Sequence, residues 1–245
     1  MAFELIKTGT PGLDQVLKGG LRKNSCVLVT GAPGTGKTLM ALQFVYYGAK
    51  DYGENGIFIT TEESLEVLHQ SGKNLGMDIQ SIVNSGKMFI VQKPIATLKG
   101  GIASIKGLME AIKKYNIKRV ALDSLIFFEY LYPRFDGNKM EFRRHVLIFM
   151  QQMRKAGVTF LVVSERSITD FDRLEYDMMD FVFEGIIMLS RIRKGSYFER
   201  VVTVAKMRGQ DHSLDVYPLT IGPGGMKVLH DQTPFSLVEK EEGFK

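Results

Sequence analysis

From Gly31 to Thr38 the chain reads GAPGTGKT, a full match to G-x-x-x-x-G-K-[ST] set between an apolar run and a segment of helical period. Glycines at this spacing let backbone N–H groups close around an anion with no Cβ in the way. Gly31, Ala32, Pro33, Gly34, Thr35 and Gly36 are expected to wrap the phosphates of a nucleotide. Lys37 would reach the β and γ oxygens and Thr38 would place its hydroxyl on Mg²⁺. Leu39 continues the first helical turn, whose positive end faces the phosphates. Such a site also needs a carboxylate beside the metal, at the end of a neighbouring apolar strand, and RVALDS at 119–124 puts Asp123 there. An Asp closing a strand is otherwise a common cap or turn residue. Hydrolysis further needs a group that polarises water. Glu62 and Glu63, in ITTEES after another apolar run, stand where a second strand would end beside the loop, although acids there also suit the first turn of a helix.

The elements that must position these residues are legible as short β-branched runs alternating with longer helical stretches, the pattern of βαβ units around a mostly parallel sheet. Strands are expected at 25–30, 56–60, 88–91, 119–123 and 158–164, and helices at 37–50, 64–75, 102–114 and 139–156. The last third changes character. Segments 185–193, 197–206 and 215–221 are strand-like and joined by short turns such as Lys194-Gly195-Ser196, an antiparallel extension of the same sheet. No Ser-, Pro- or Gly-rich linker divides the chain, so residues 1–233 are expected to form one α/β domain, followed by a charged, mobile tail over 234–245.

With 245 residues, 44% hydrophobic and 24% charged, the chain has the composition of a globular domain that buries a full core without staples. Cys26 is the only cysteine, which excludes a disulfide framework and a thiolate metal cluster. The histidines show no metal-ligand spacing with Cys, Asp or Glu. The N-terminus lacks the pattern of a secretory signal, and no apolar stretch could span a bilayer, so a cytoplasmic protein is expected. Net charge is +5, from 32 Lys plus Arg against 27 Asp plus Glu. That balance suits a polyanionic ligand, but a modest excess spread over a whole chain more often serves solubility.

The loop, the acidic pair and the strand-end Asp, in that order, resemble the RecA-type P-loop ATPases, and most closely their KaiC branch. TGTPGLDQVLKGGL before the loop, TTEES, DFVFEGIIML at 180–189 and KMRGQDHSLDVYPLTI at 206–221 carry the likeness, which runs from about Thr8 to Val228. The resemblance implies a RecA-type fold and an ATPase using ATP and Mg²⁺, assembled as a homo-oligomeric ring, usually a hexamer, with ATP at each subunit boundary. It implies that Glu62 and Glu63 activate water, that Lys206 and Arg208 reach the γ-phosphate bound by the neighbouring subunit, and that His212 contacts that nucleotide. From the residues alone, Lys206 and Arg208 are two charges on one face of a strand, since i and i+2 point the same way. Turnover would change the conformation of the protein itself or of a partner protein. Clock members of the family phosphorylate a Ser-Thr pair; the matching stretch here carries Asp180-Phe181, without a hydroxyl, and such self-phosphorylation is not expected.

A DNA-dependent recombinase or helicase relative is the rival reading, and a nucleotide-sensing scaffold with little hydrolysis is another. The aromatic loop 126–139 could stack on bases, but packing at a subunit boundary is the favoured reading. Segment 166–179, where recombinases grip DNA, has Asp170, Asp172, Glu175 and Asp177 against Arg166 and Arg173, the wrong sign for phosphate. Nucleic acid is therefore not the expected partner. Ser164 and Glu165 end a strand where such ATPases sense the γ-phosphate, and a strand-end cap accounts for them equally well.

Overall fold

The computed structural model describes residues 3–92, 101–128, 139–166, 178–235 and 237. Most of the aromatic loop (129–138), the acidic segment 167–177 and nearly all of the tail lie outside the described residues. The described strands are β1 (Leu5–Ile6), β2 (Leu21–Arg22), β3 (Cys26–Gly31), β4 (Gly56–Thr60), β5 (Met88–Gln92), β6 (Arg119–Asp123), β7 (Thr159–Glu165), β8 (Gly185–Lys194), β9 (Tyr197–Met207), β10 (Tyr217–Gly222) and β11 (Gly225–Val228). The helices are α1 (Leu13–Val16), α2 (Lys37–Asp51), α3 (Leu65–Asn74), α4 (Ile79–Asn84), α5 (Gly101–Lys114) and α6 (Lys139–Lys155).

Strands β3 to β11 form one sheet in the order β11-β10-β9-β8-β3-β7-β6-β4-β5. The run from β8 to β5 is parallel, and β9, β10 and β11 extend it antiparallel, as the strand pattern implied. Every residue of β3, β4 and β6 is buried, as expected where helices cover both faces of a parallel sheet. The twofold alternation of strand side chains divides the core. Val27 and Val29 face α2, packing with Met40, Phe44 and Val45, while Cys26 and Leu28 face the other layer, with Phe149, Met150 and Met153 of α6. Arg119, fully buried at the start of β6, ties α2 and the loop after it to the sheet by donating to Glu54 and to the Phe44 carbonyl.

The long elements fall within one or two residues of the expected bounds. The short ones, β1, α1, β2, α4 and β11, have no counterpart in the pattern, because two to six residues are too few to establish a period. A further difference is a β-bulge between β8 and β9. Val204 pairs with Ile187 but Lys206 pairs with Ile186, leaving Ala205 as the extra residue. Val202 and Val204 lie in the α2 core, and strict alternation would send Lys206 there too. The bulge turns Lys206 to the opposite face and leaves Met207 in that core. No described helix is long and apolar enough to cross a membrane.

Candidate nucleotide site

The loop 31–36 begins where β3 ends, in a backbone conformation that side chains resist. Gly31 has φ +152, and a Cβ there would lie 2.1 Å from the Leu189 carbonyl oxygen of β8. Gly36 caps α2 with φ +106 and no capping side chain, and the first turn of α2 contains no acid. The N–H groups that open α2 therefore have no intrahelical acceptor, and the helix end stays positive. Lys37 is buried, and its Nζ donates to the Ala32 carbonyl at 3.0 Å and lies 3.9 Å from Glu165 Oε1. Burial pulls the Lys37 ammonium below its ordinary value, opposed first by Glu165 and then by Asp123 and Glu62. The Thr35 hydroxyl and amide both donate to the same carbonyl, closing the loop on itself.

Two neighbouring strands bring the acids. β4 and β6 pair in parallel with Thr60 opposite Asp123, so the chain leaving β4 passes over the end of β6. Thr61 donates its amide at 2.8 Å and its hydroxyl at 3.2 Å to the Asp123 carbonyl. The amides of Glu63 and Glu62 donate to Thr60 Oγ1 at 3.0 and 3.4 Å, and Ser124 Oγ donates to Glu62 Oε1 at 3.3 Å. Asp123 is 5% exposed. Burial pushes its carboxyl up, opposed by a hydrogen bond with Thr38 and by Lys37, while Glu62 and Glu165 push it further up. Burial likewise raises Glu63, helped by Asp123 and Glu62. A cavity of about 370 Å³ lies among these groups, bounded by the loop, Lys37, Thr38, Leu39, Glu62, Glu63, Asp123, Ser124 and Glu165, with Leu42, Leu68, Ser71 and Leu75 as its α2–α3 wall.

Thr38 and Asp123 form a pair of hard oxygen donors at the phosphate end of this cavity. Among the described residues no three His, Cys, Asp or Glu gather to hold a metal on their own. This donor set fits Mg²⁺, which is usually held by one or two protein oxygens together with substrate phosphates. Thr60 and Ser124, which orient the acidic pair, and the α2–α3 wall were not singled out in the sequence. Ser124 adjoins Asp123 in the chain and Thr60 stands two residues before Glu62, and that closeness was the available signal.

Lys206, Arg208 and His212 are elsewhere. Gly31 is level with Leu189, whereas Lys206 is level with Ile186 and, through it, with Leu28. Three residues of strand separate them, about 10 Å, and the loop rises further beyond Gly31. Lys206 Nζ donates to the carbonyls of Asp180 at 2.8 Å and Phe183 at 2.7 Å, and Arg208 Nη2 to that of Phe181 at 3.0 Å. Burial lowers the Lys206 ammonium, helped by the charge of Arg208 and opposed by Asp180 and Glu184. His212 Nδ1 sits 2.9 Å from the Ser213 carbonyl, beside α1, where the Ser213 amide donates to Val16.

A family model described as "ATPase: KaiC" matches residues 6–233. The circadian clock oscillator protein KaiC of Prochlorococcus marinus is 32% identical over 238 residues, which are 94% of this chain and 46% of that protein. The protein of the same name from a Picosynechococcus species is 32% identical over 231 residues, 91% of this chain and 44% of its own length. The chain thus spans about half the length of the curated relatives it matches. The crystal structure of a KaiC-like protein from the hyperthermophilic archaeon Pyrococcus horikoshii has a TM-score of 0.78 and 31% identity, covering 93% of this chain and 99% of that one. With the loop, acids and sheet order described above, these matches mean that the chain belongs to the KaiC family of ATPases and has their RecA-type fold.

Proposed function

We propose that the protein is a Mg²⁺-dependent ATPase that works as a ring, each ATP being held by the loop of one copy and completed by Lys206 and Arg208 of the next. The observation that carries this reading is the position of the two cations. They stand at the opposite end of the sheet from their own chain's cavity, which Glu62, Glu63, Asp123 and Glu165 surround. A polyphosphate entering that cavity meets Lys37 and the positive end of α2 as its main attractions. Added positive charge is needed before negative charge can build on the γ-phosphate, and a neighbouring copy supplies it.

In this reading Lys37 and the amides of 31–38 bind the phosphates, and Thr38 with Asp123 would hold Mg²⁺, which would supply further positive charge to the phosphates. The Thr60 hydroxyl fixes the backbone that carries Glu62 and Glu63, and Ser124 fixes the Glu62 carboxylate. Glu63, raised by burial and by its acidic neighbours, is suited to accept a proton from the attacking water. His212 would meet the neighbouring nucleotide, and turnover would drive a conformational change in the ring or a partner protein.

The test is complementation. Arg208→Ala and Lys37→Ala chains are each expected to be nearly inactive alone. Mixed under conditions of subunit exchange, they should regain turnover, because some boundaries then pair an intact loop with intact cations. A mixture that stays inactive although mixed rings form, or a stable monomer with full turnover, would refute the shared site.

A further inference from the structure

The carbonyls of Asp180, Phe181 and Phe183 hold Lys206 and Arg208, so whatever fixes this segment also fixes the two cations. Its far end is anchored by the sheet and the α6 layer. Glu184 accepts the Cys26 amide at 2.6 Å, pairs with Arg154 of α6 and lies 3.4 Å from Arg22, and its carbonyl accepts the Arg208 amide at 2.8 Å. Phe183 is fully buried in the core beside α6. The near end is a short 3₁₀ turn, Met178–Phe181, whose internal hydrogen bonds are poorer than those of an α-helix. It carries Asp180. The Asp180 carbonyl accepts from Lys206 Nζ, and its carboxylate accepts from Arg166 Nη2 at 2.6 Å.

Arg166 starts from the other region of the molecule. It follows Glu165, the last residue of β7, and its amide donates at 3.1 Å to the carbonyl of Gly31, where the nucleotide loop begins. Glu165 itself borders the cavity and lies 3.9 Å from Lys37 Nζ. The Arg166 side chain therefore begins level with the loop and ends on the turn that carries an acceptor of Lys206. Asp180 is 1% exposed. Solubility gives no reason for a carboxylate there, and stability gives little, because the cost of taking a charge pair out of water offsets its attraction. What the pair provides is geometry, since a planar guanidinium fixes direction as well as distance.

We infer that Arg166 and Asp180 are positioning residues for the proposed reaction, setting the place at which Lys206 and Arg208 meet the nucleotide of the next copy. The inference rests on the shared site proposed above. Because Gly31 fixes the Arg166 amide, the cations that a copy presents to its neighbour are aligned to the backbone that cradles its own phosphates. Neither Arg166 nor Asp180 lines the cavity. Loss of the pair therefore leaves the loop and the acids in place and displaces the presented charges. A misplacement of about 1 Å costs about 10²-fold in rate.

The experiment is ATP turnover by the full chain in rings mixed by subunit exchange. Asp180→Asn alone is expected to lower turnover about 10²-fold with equilibrium ATP binding unchanged. Mixed with Lys37→Ala chains it should regain turnover, since one copy then supplies an intact loop and the other well-placed cations. Mixed with Arg208→Ala it should stay slow, because every boundary lacks such cations. Arg166→Gln should behave in the same way, and the Arg166→Gln, Asp180→Asn double variant should be no slower than the slower single one, as for two groups acting through one contact. Arg166→Lys keeps the charge but not the fixed direction, and should lose about 10-fold with the same mixing pattern. It decides the matter if the neutral variants fail to fold. Rescue of Asp180→Asn by Arg208→Ala, or by neither partner although mixed rings form, overturns the inference, as does full turnover in folded Asp180→Asn or Arg166→Lys. Lys37→Ala mixed with Arg208→Ala is the control. If it regains turnover while Asp180→Asn with Lys37→Ala does not, the positioning role alone is wrong; if the control itself stays inactive, the shared site is wrong and the positioning role falls with it.

Discussion

Where β3, β4, β6 and β7 stop, Glu62, Glu63, Asp123 and Glu165 stand around Lys37, each within reach of a cavity about 370 Å³ in volume. Where β9 ends, at the opposite end of the sheet, Lys206 and Arg208 are held by three backbone carbonyls of residues 180–183. The first region has an excess of negative charge in a partly enclosed space. The second presents cations that hydrogen bonds orient but that carbonyl dipoles do not neutralise. Each lacks what the other has, and a rigid parallel sheet keeps them apart within one chain. An active site divided in this way makes turnover conditional on assembly, which is the physical content of the proposed ring.

The largest effect is expected at the cationic end. A trans-acting arginine is worth about 10³ to 10⁵ in rate in P-loop enzymes. Arg208→Ala is therefore expected to cut turnover by about 10³ or more while equilibrium binding of ATP changes far less. Equal losses in binding and turnover would return Arg208 to an ordinary surface role. At the acidic end, Glu62→Gln and Glu63→Gln should preserve nucleotide binding and slow hydrolysis by about 10² to 10⁴, the usual contribution of a general base. Full turnover in the double variant would remove both from the mechanism.

The smallest effect concerns stability. Asp123 has a raised carboxyl in the folded state, mainly through burial. A carboxyl raised on folding favours the folded protein below its unfolded value, and that advantage is lost as pH rises through the folded value. At pH 8 ionised Asp123 therefore costs stability. Asp123→Asn should stabilise the unliganded protein by about 1 kcal/mol there, at the expense of catalysis. Below the ordinary aspartate value of 3.8 the gain should vanish, because the carboxyl is then protonated in both states. Denaturant unfolding at the two pH values checks the sign, and a gain that persists in acid would mean that packing is responsible.

Much of the phosphate end was legible because its signals are local. Glycines at fixed spacing, a Lys-Thr pair at the start of a helix and an Asp closing an apolar strand each record a backbone requirement within a few residues. The helix and strand periods over 37–50, 56–60 and 119–123 were readable for the same reason. What could not be read was the company these residues keep. Ser124 reaches Glu62 across 62 residues of chain, and Leu68 of α3 with Leu75 just after it closes a cavity floored by β6 and β7. No pattern within a window of ten residues contains those distances.

The cationic end shows the division most clearly. Lys206 and Arg208 were visible as a pair sharing a strand face, and that reading needs only the twofold period of an extended chain. Which face they share depends on the bulge at Ala205, which interrupts the alternation begun by Val202 and Val204 and takes Lys206 out of the α2 core. The level at which they stand depends on the register of β9 against β8 and of β8 against β3, set by side chains far apart in the chain. By itself, then, the sequence determined which residues are equipped for phosphate chemistry, because backbone conformation and side-chain period are local properties. Only the tertiary structure decided that these residues fall into two groups at opposite ends of one sheet, because strand order, register and bulges arise from contacts that the order of residues along the chain does not contain.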